Sequence, residues 1–164
     1  MDRVDTTEDS KILIRPAKPE EWDDAMELAF RVFLKYESKD YGKEGTEAFA
    51  EFVTDNMLKK AFESGYYVVF LAFEGDELVG MIGIRNGNHI SLLFVDGDHH
   101  RKGIGSKLID RTEEYLRSNT QFGRMTVNSA PIAKDFYHKK GFKDCGELCE
   151  KDGIRYIPME REFS

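Results

Sequence analysis

Between Trp22 and Tyr36 the apolar positions Trp22, Met26, Leu28, Ala29, Val32, Phe33 and Tyr36 return at helical spacing, which predicts an amphipathic helix. Glu20, Glu21, Asp23 and Asp24 stand in its first turns, where the positive end of the helix dipole favours acids. Ahead of it, Lys11–Arg15 reads as a short strand stopped by Pro16, and Pro19 suits a helix start. Behind it, Glu37–Gly45 breaks the pattern and reads as a loop. A second helix is predicted from Thr46 to about Ser64-Gly65, with Phe49, Val53, Met57 and Ala61 at four-residue steps.

The pattern then turns to strands. Tyr66–Glu74 and Glu77–Arg85, around Gly75-Asp76, predict a hairpin, and Asn86-Gly87 predicts a tight turn into a further strand, His89–Val95. Helical spacing resumes with Ile104, Leu108, Ile109, Tyr115 and Leu116. Met125–Asn128 reads as a strand, Pro131 to Gly141 as a short helix, and Phe142–Glu150 with Ile154–Glu162 as a closing hairpin around Lys151-Asp152-Gly153. The resulting order, β-α-α-β-β-β-α-β-α-β-β, belongs to the α/β (α+β) class: a mixed central sheet of about seven strands with flanking helices. One domain over residues 11–164 is expected behind a polar tail, 1–10. The stretch from His89 to Asn128 is a strand-helix-strand crossover, so its two strands, the fourth and fifth, should be parallel neighbours with a right-handed connection.

Composition narrows the class. The chain has 164 residues, of which 40% are hydrophobic and 34% charged, as in a globular protein. With 24 Lys and Arg against 31 Asp and Glu, the net charge is −7, which speaks against nucleic acid or an anionic membrane as a general partner. No apolar run approaches the ~20 residues of a spanning helix, and Met1–Ser10 lacks the apolar centre of a secretory signal; a cytoplasmic location is expected. Cys145 and Cys149 are too few for a disulfide framework, and without a second ligand pair no metal is expected.

The chemistry concentrates between His99 and Lys107. Gly103 and Gly105 let backbone N–H groups face a ligand at a helix N-terminus, and Arg101, Lys102 and Lys107 add cations with no acid among them. Such a loop suits phosphate or pyrophosphate. It matches neither the dinucleotide fingerprint, since Leu108 occupies the position of the third glycine, nor a Walker loop. Taken alone, Gly-x-Gly also fits a structural turn.

His100-Arg101-Lys102-Gly103-Ile104-Gly105 resembles the acetyl-CoA loop of the GCN5-related N-acetyltransferase (GNAT) superfamily, Gln/Arg-x-x-Gly-x-Gly/Ala, with His100 replacing the usual first residue. Ser91–Val95 resembles that family's fourth strand and Val127–Ala130 its fifth. Phe136-Tyr137-His138-Lys139-Lys140-Gly141-Phe142 is similar to its Phe-Tyr-x-x-x-Gly-Phe signature, and Ile14-Arg15-Pro16-Ala17 to its opening.

The resemblance implies an N-acetyltransferase that moves an acetyl group from acetyl-CoA to a primary amine by direct attack in a ternary complex. Strands four and five would splay to admit the cofactor. Backbone groups of Leu93, Phe94 and Val95 would pair with pantetheine, and N–H groups from Arg101 to Ser106, through Lys102, Gly103, Ile104 and Gly105, would hold the pyrophosphate. Tyr137 would be the general acid; on spacing alone it is a packing residue beside Ala133. Asn128 would bond pantetheine or cap its own turn. For the base, His89 is the first candidate, six residues before Val95, where some histone-acetylating relatives carry a catalytic Glu; it equally reads as an exposed residue after a turn. Glu37 is the second. Phe33, Tyr36 and Tyr41 would shape the acceptor side or pack in the core. The acceptor would be a small-molecule or peptide amine and the protein a monomer or homodimer. A CoA-binding sensor of the same fold, without acetyl transfer, is the competing function.

Overall fold

The computed structural model describes residues 12–97 and 103–163. The tail 1–10, Lys11 and the loop residues His100, Arg101 and Lys102 lie outside the described residues. Five helices and eight strands are found among the described ones: β1 (Ile12–Pro16), α1 (Trp22–Tyr36), α2 (Ser38–Val53), α3 (Asn56–Glu63), β2 (Val68–Glu74), β3 (Glu77–Arg85), β4 (His89–Val95), α4 (Ile104–Asn119), β5 (Arg124–Ser129), α5 (Lys134–Lys139), β6 (Lys143–Asp144), β7 (Cys149–Lys151) and β8 (Ile154–Glu162). The sheet runs β1-β2-β3-β4-β5-β8-β6, with β7 paired to β8. Every pairing is antiparallel except β4 with β5, which is parallel as the crossover required.

Strand residues alternate between the two faces, and both faces are covered, which is why β2 and β3 read as nearly unbroken apolar runs. Val69, Leu71, Met81, Leu92 and Phe94 meet Ala25, Ala29, Val32 and Phe33 of α1 on one face. Phe70, Ala72, Ile82, Met125 and Val127 meet Ile104, Leu108, Ile109 and Leu116 of α4 on the other. Asn86 and Gly87 both adopt positive φ, the turn expected of that pair between β3 and β4.

Three segments depart from the sequence expectation. Glu37–Gly45 is not an open loop, because α2 begins at Ser38 and passes through Gly42, where φ 67 and ψ −165 break the helical geometry. The second predicted helix is two helices: α2 ends at Val53, and α3 starts afresh at Asp55, whose carboxylate accepts the Met57 N–H, an N-cap bond. The apolar four-residue spacing continues through this break and conceals it. Phe142–Glu150 is likewise two short strands, β6 and β7, both paired to β8, so the sheet has eight strands instead of seven.

Aromatic packing holds α2 in place. Phe33 of α1 stacks on Phe49 at 4.1 Å between ring centroids and on Tyr41 at 5.5 Å, and Phe49 meets Phe94 of β4 edge-on at 5.5 Å. At its start α2 touches the β7–β8 turn backbone to backbone: a Cβ on Gly45 would lie 2.8 Å from the Gly153 carbonyl oxygen. Only glycine permits so close an approach.

Candidate active site

The parallel pairing of β4 and β5 is confined to His89↔Thr126 and Ile90↔Val127. Beyond Ile90 the strands part, and β4 continues to Val95 with β3 alone as its ladder neighbour. The Asp96 N–H donates to the Val79 carbonyl on the β3 side. Backbone groups alternate sides along a strand, so those of Phe94 also face β3, while those of Leu93 and Val95 face the gap. Of the three residues expected to pair with pantetheine through the backbone, Phe94 therefore turns its backbone to β3, while its side chain lines the cavity.

At one side of the gap α4 begins. Gly103 is its N-cap, at φ 73, a left-handed conformation that glycine adopts without steric cost. Ile104 is buried, and Gly105 lies against the Phe136 ring, where a Cβ would come 3.1 Å from Cζ. The first-turn N–H groups of Ile104, Gly105 and Ser106 have no acceptor within the helix and stand at its positive end.

A cavity of about 430 Å³ opens between the parted strands, α1, α2 and the β7–β8 turn. It brings together Phe33, Glu37, Tyr41, His89, Leu93, Phe94, Asn128 and Tyr137, residues scattered over more than a hundred positions of sequence. Tyr36, Val95, Gly103, Ile104, Gly105 and Ser106 are not in its lining; Tyr36 instead places its hydroxyl where a Cβ on Gly97 would be. The lining also includes Arg85, Ser91, Lys151 and Asp152, which the sequence did not single out. Their meeting depends on the docking of α2 against the β7–β8 turn, a contact that leaves no local periodic signal.

The buried tyrosines differ in one respect. Tyr41 donates to the Arg155 carbonyl at 3.2 Å, and the Tyr67 hydroxyl lies 2.6 Å from Ser91 Oγ. Tyr137 is only 6% exposed, yet its hydroxyl has no hydrogen-bond partner among the described residues. A buried hydroxyl without a partner is costly, on the order of 1–3 kcal/mol. Its ring is held edge-on between Phe136 and Phe142, so two members of the sequence signature serve to position the third. Burial, and then the nearby Glu37 carboxylate, push the Tyr137 phenol above its ordinary pKa, which keeps it protonated.

Glu37, half-buried at the end of α1, has its carboxyl raised to about 7 by burial, with a further push from Asp40. It is half ionised near neutrality. His89 is lowered to about 4 by burial, with Arg85 adding to the effect, so its imidazole is neutral at pH 7. Its Nδ1 lies 2.7 Å from Thr126 Oγ1, a bond that ties the ring across the first of the two paired rungs of β4 and β5. Asn128 is exposed in the cavity wall, opposite Pro158 in the β5–β8 ladder.

Among the described residues, no group of three His, Cys, Asp or Glu side chains is placed to hold a metal ion. Cys145 is exposed and Cys149 half-buried, both as free thiols. No described helix is long and apolar enough to cross a membrane.

A model of the acetyltransferase (GNAT) domain matches residues 37–163. The chain belongs to the GNAT acetyltransferase family. As a GNAT domain it is 25% identical over 134 residues to the uncharacterized N-acetyltransferase YafP of Escherichia coli (strain K12), covering 82% of this chain and 83% of that one. The GNAT fold is equally plain in solved structures. A GCN5-related N-acetyltransferase of Rhodopseudomonas palustris superposes with a TM-score of 0.80 at 23% identity, over 94% of this chain and 97% of the other. The PaiA N-acetyltransferase of Thermoplasma acidophilum, solved with coenzyme A, gives 0.74 at 20% identity, over 93% and 99%. The GNAT family and its mixed sheet, with a parallel fourth and fifth strand, agree with the expectation drawn from the motifs.

Proposed function

We propose that this protein transfers an acetyl group from acetyl-CoA to a primary amine by direct attack within a ternary complex. The observation that carries the reading is the Tyr137 hydroxyl, buried, protonated and without a partner among the described residues, in a cavity it shares with Glu37 where β4 and β5 part. The coenzyme A bound to the Thermoplasma relative supports the choice of donor.

Acetyl-CoA supplies an activated thioester. The backbone of Leu93 extends the open edge of β4 along pantetheine, Asn128 stands across the gap, and the first turn of α4, behind His100, Arg101 and Lys102, receives the pyrophosphate. Glu37 accepts the proton of the attacking amine, since a carboxyl raised to about 7 is matched to the working pH. His89, lowered to about 4, is the weaker base of the two, and its bond to Thr126 assigns it to holding the closed end of the gap. Tyr137 donates a hydrogen bond to the sulfur as negative charge develops there; burial raises the phenol well above a thiol's ~8.5, so the hydroxyl keeps its proton and stabilises the departing thiolate. The carbon–nitrogen bond forms as the carbon–sulfur bond breaks. The amine gives its proton to Glu37, and the sulfur leaves as a thiolate held by the Tyr137 hydroxyl and takes its proton from solvent to become CoA thiol.

Tyr137→Phe is expected to lower turnover about ten- to a hundredfold or more, with CoA affinity by calorimetry nearly intact. Unchanged turnover under conditions where chemistry limits the rate would remove Tyr137 from the mechanism. Acetyl-CoA binding without thiol release from any of a broad amine panel would replace the enzyme with a CoA-binding sensor.

A further inference from the structure

The acceptor cavity carries both signs of charge. Glu37 and Asp152 are its acids, Arg85 and Lys151 its bases. Arg85 stands apart from most arginines of the fold. Arg15, Arg31, Arg111, Arg117, Arg124 and Arg161 each form an ion pair with a carboxylate, whereas Arg85 makes no hydrogen bond or ion pair with the described residues. It is the last residue of β3, directly opposite His89. His89 in turn belongs to the two-rung pairing of β4 and β5 that closes one end of the gap. Arg85 thus lies at the closed end of the gap. Tyr137 lies on α5, which follows the far end of β5, and so stands toward the open end. Phe33, Phe49 and Phe52 give the cavity an apolar wall.

A polycationic acceptor would meet Arg85 and Lys151 as like charges. A repulsion between unit charges ~4 Å apart amounts to about 1 kcal/mol in water and more where water is partly excluded. A carboxylate at the same place would find a planar guanidinium fork suited to bidentate pairing.

We infer that the acceptor is a small amine that also bears a carboxylate, with its anion on Arg85 and its amino group delivered to Glu37 beside Tyr137. This rests on the acetyl-transfer reading above and adds the substrate class to it. Lys151, also in the cavity lining, adds a second cation to the site.

The test is thiol release from acetyl-CoA by the full chain with acceptors matched except for the carboxylate: phenylalanine against phenethylamine, and lysine against 1,5-diaminopentane. In at least one pair the carboxylate-bearing member is expected to show a kcat/KM at least about tenfold higher, a difference of about 1.4 kcal/mol. Arg85→Gln should erase that preference by raising KM for the carboxylate-bearing member, and Arg85→Lys, which keeps the charge, should retain part of it. Arg85 is solvent-exposed, so both variants are expected to fold, and their melting transitions verify it. Equal or faster reaction of the amines lacking a carboxylate, or a preference that survives Arg85→Gln, overturns the inference while leaving acetyl transfer standing. Acetyl-CoA binding with no release from any acceptor overturns both.

Discussion

On the α4 face of the sheet, Ile104, Leu108, Ile109 and Leu116 are fully buried, and the one polar side chain buried with them in α4, Thr112, donates to the Leu108 carbonyl at 2.9 Å. On the α1–α2 face, the aromatic stack of Phe33, Phe49 and Phe94 borders a cavity holding Glu37, His89 and the Tyr137 hydroxyl. Polar groups on the first face are satisfied within the chain. On the second, Tyr41 and Tyr67 are also paired, but burial shifts Glu37 up and His89 down and leaves the Tyr137 hydroxyl without a partner among the described residues. Both faces carry a buried core, but the cavity opens on the second, so each side can be perturbed separately.

The largest effect should come from the α4 face. Leu108→Ala removes a fully buried side chain and is expected to cost about 2–5 kcal/mol, read by denaturant unfolding, with turnover per folded molecule nearly unchanged. A comparable loss of turnover at full folding would break the separation.

Next is Glu37. Its carboxyl is raised from 4.5 to about 7, so between those pH values the folded state holds a proton that the unfolded chain has lost, and stability falls as pH rises through that window. Glu37→Gln removes this penalty. The variant should be more stable than the parent at pH 8, by on the order of 1–3 kcal/mol, and indistinguishable from it near pH 4.5. Its turnover should drop about ten- to a hundredfold, with loss of the rise in activity that the parent shows as pH passes about 7. A variant that gains stability without losing activity would take Glu37 out of the reaction.

The smallest effect concerns the seam between α2 and the β7–β8 turn. Gly45→Ala sets a Cβ against the Gly153 carbonyl and the Tyr41 Cβ, and should cost about 1–2 kcal/mol of stability. Acceptor KM should rise severalfold while CoA affinity stays the same. An equal loss of CoA affinity would show that the two sides of the site are not independent.

Much of the α4 face was legible in the sequence, because α4 and strands β2–β4 carry regular apolar spacing between strong turn residues. The start of α2 was not. Gly42-Lys43-Glu44-Gly45 has the composition of a loop, and its helical state depends on the aromatic stack and on Gly153, more than a hundred residues away. Tyr137 was legible through the signature around it, but its hydroxyl's lack of a partner is visible only in three dimensions. His89 and Glu37 were both candidates for the base, and the position of His89, where some relatives carry a catalytic Glu, put it first. Burial reverses that order by pushing an imidazole down and a carboxyl up, and burial is not written in local sequence. Arg85 gave no signal at the end of its strand, since its meaning comes from the rung it faces.

The gap between β4 and β5, closed by only two paired positions, has a consequence outside the reaction. A sheet joined at one end and open at the other lacks cross-strand contacts that a bound ligand can provide. Any molecule that bridges β4 and β5 becomes in effect an extra rung of the sheet, and at a hundred times its Kd it adds about 2.7 kcal/mol to the folded state. Survival of the protein against cellular proteases would then follow the supply of that molecule, so that the same split that admits a substrate also makes the protein's abundance a record of it.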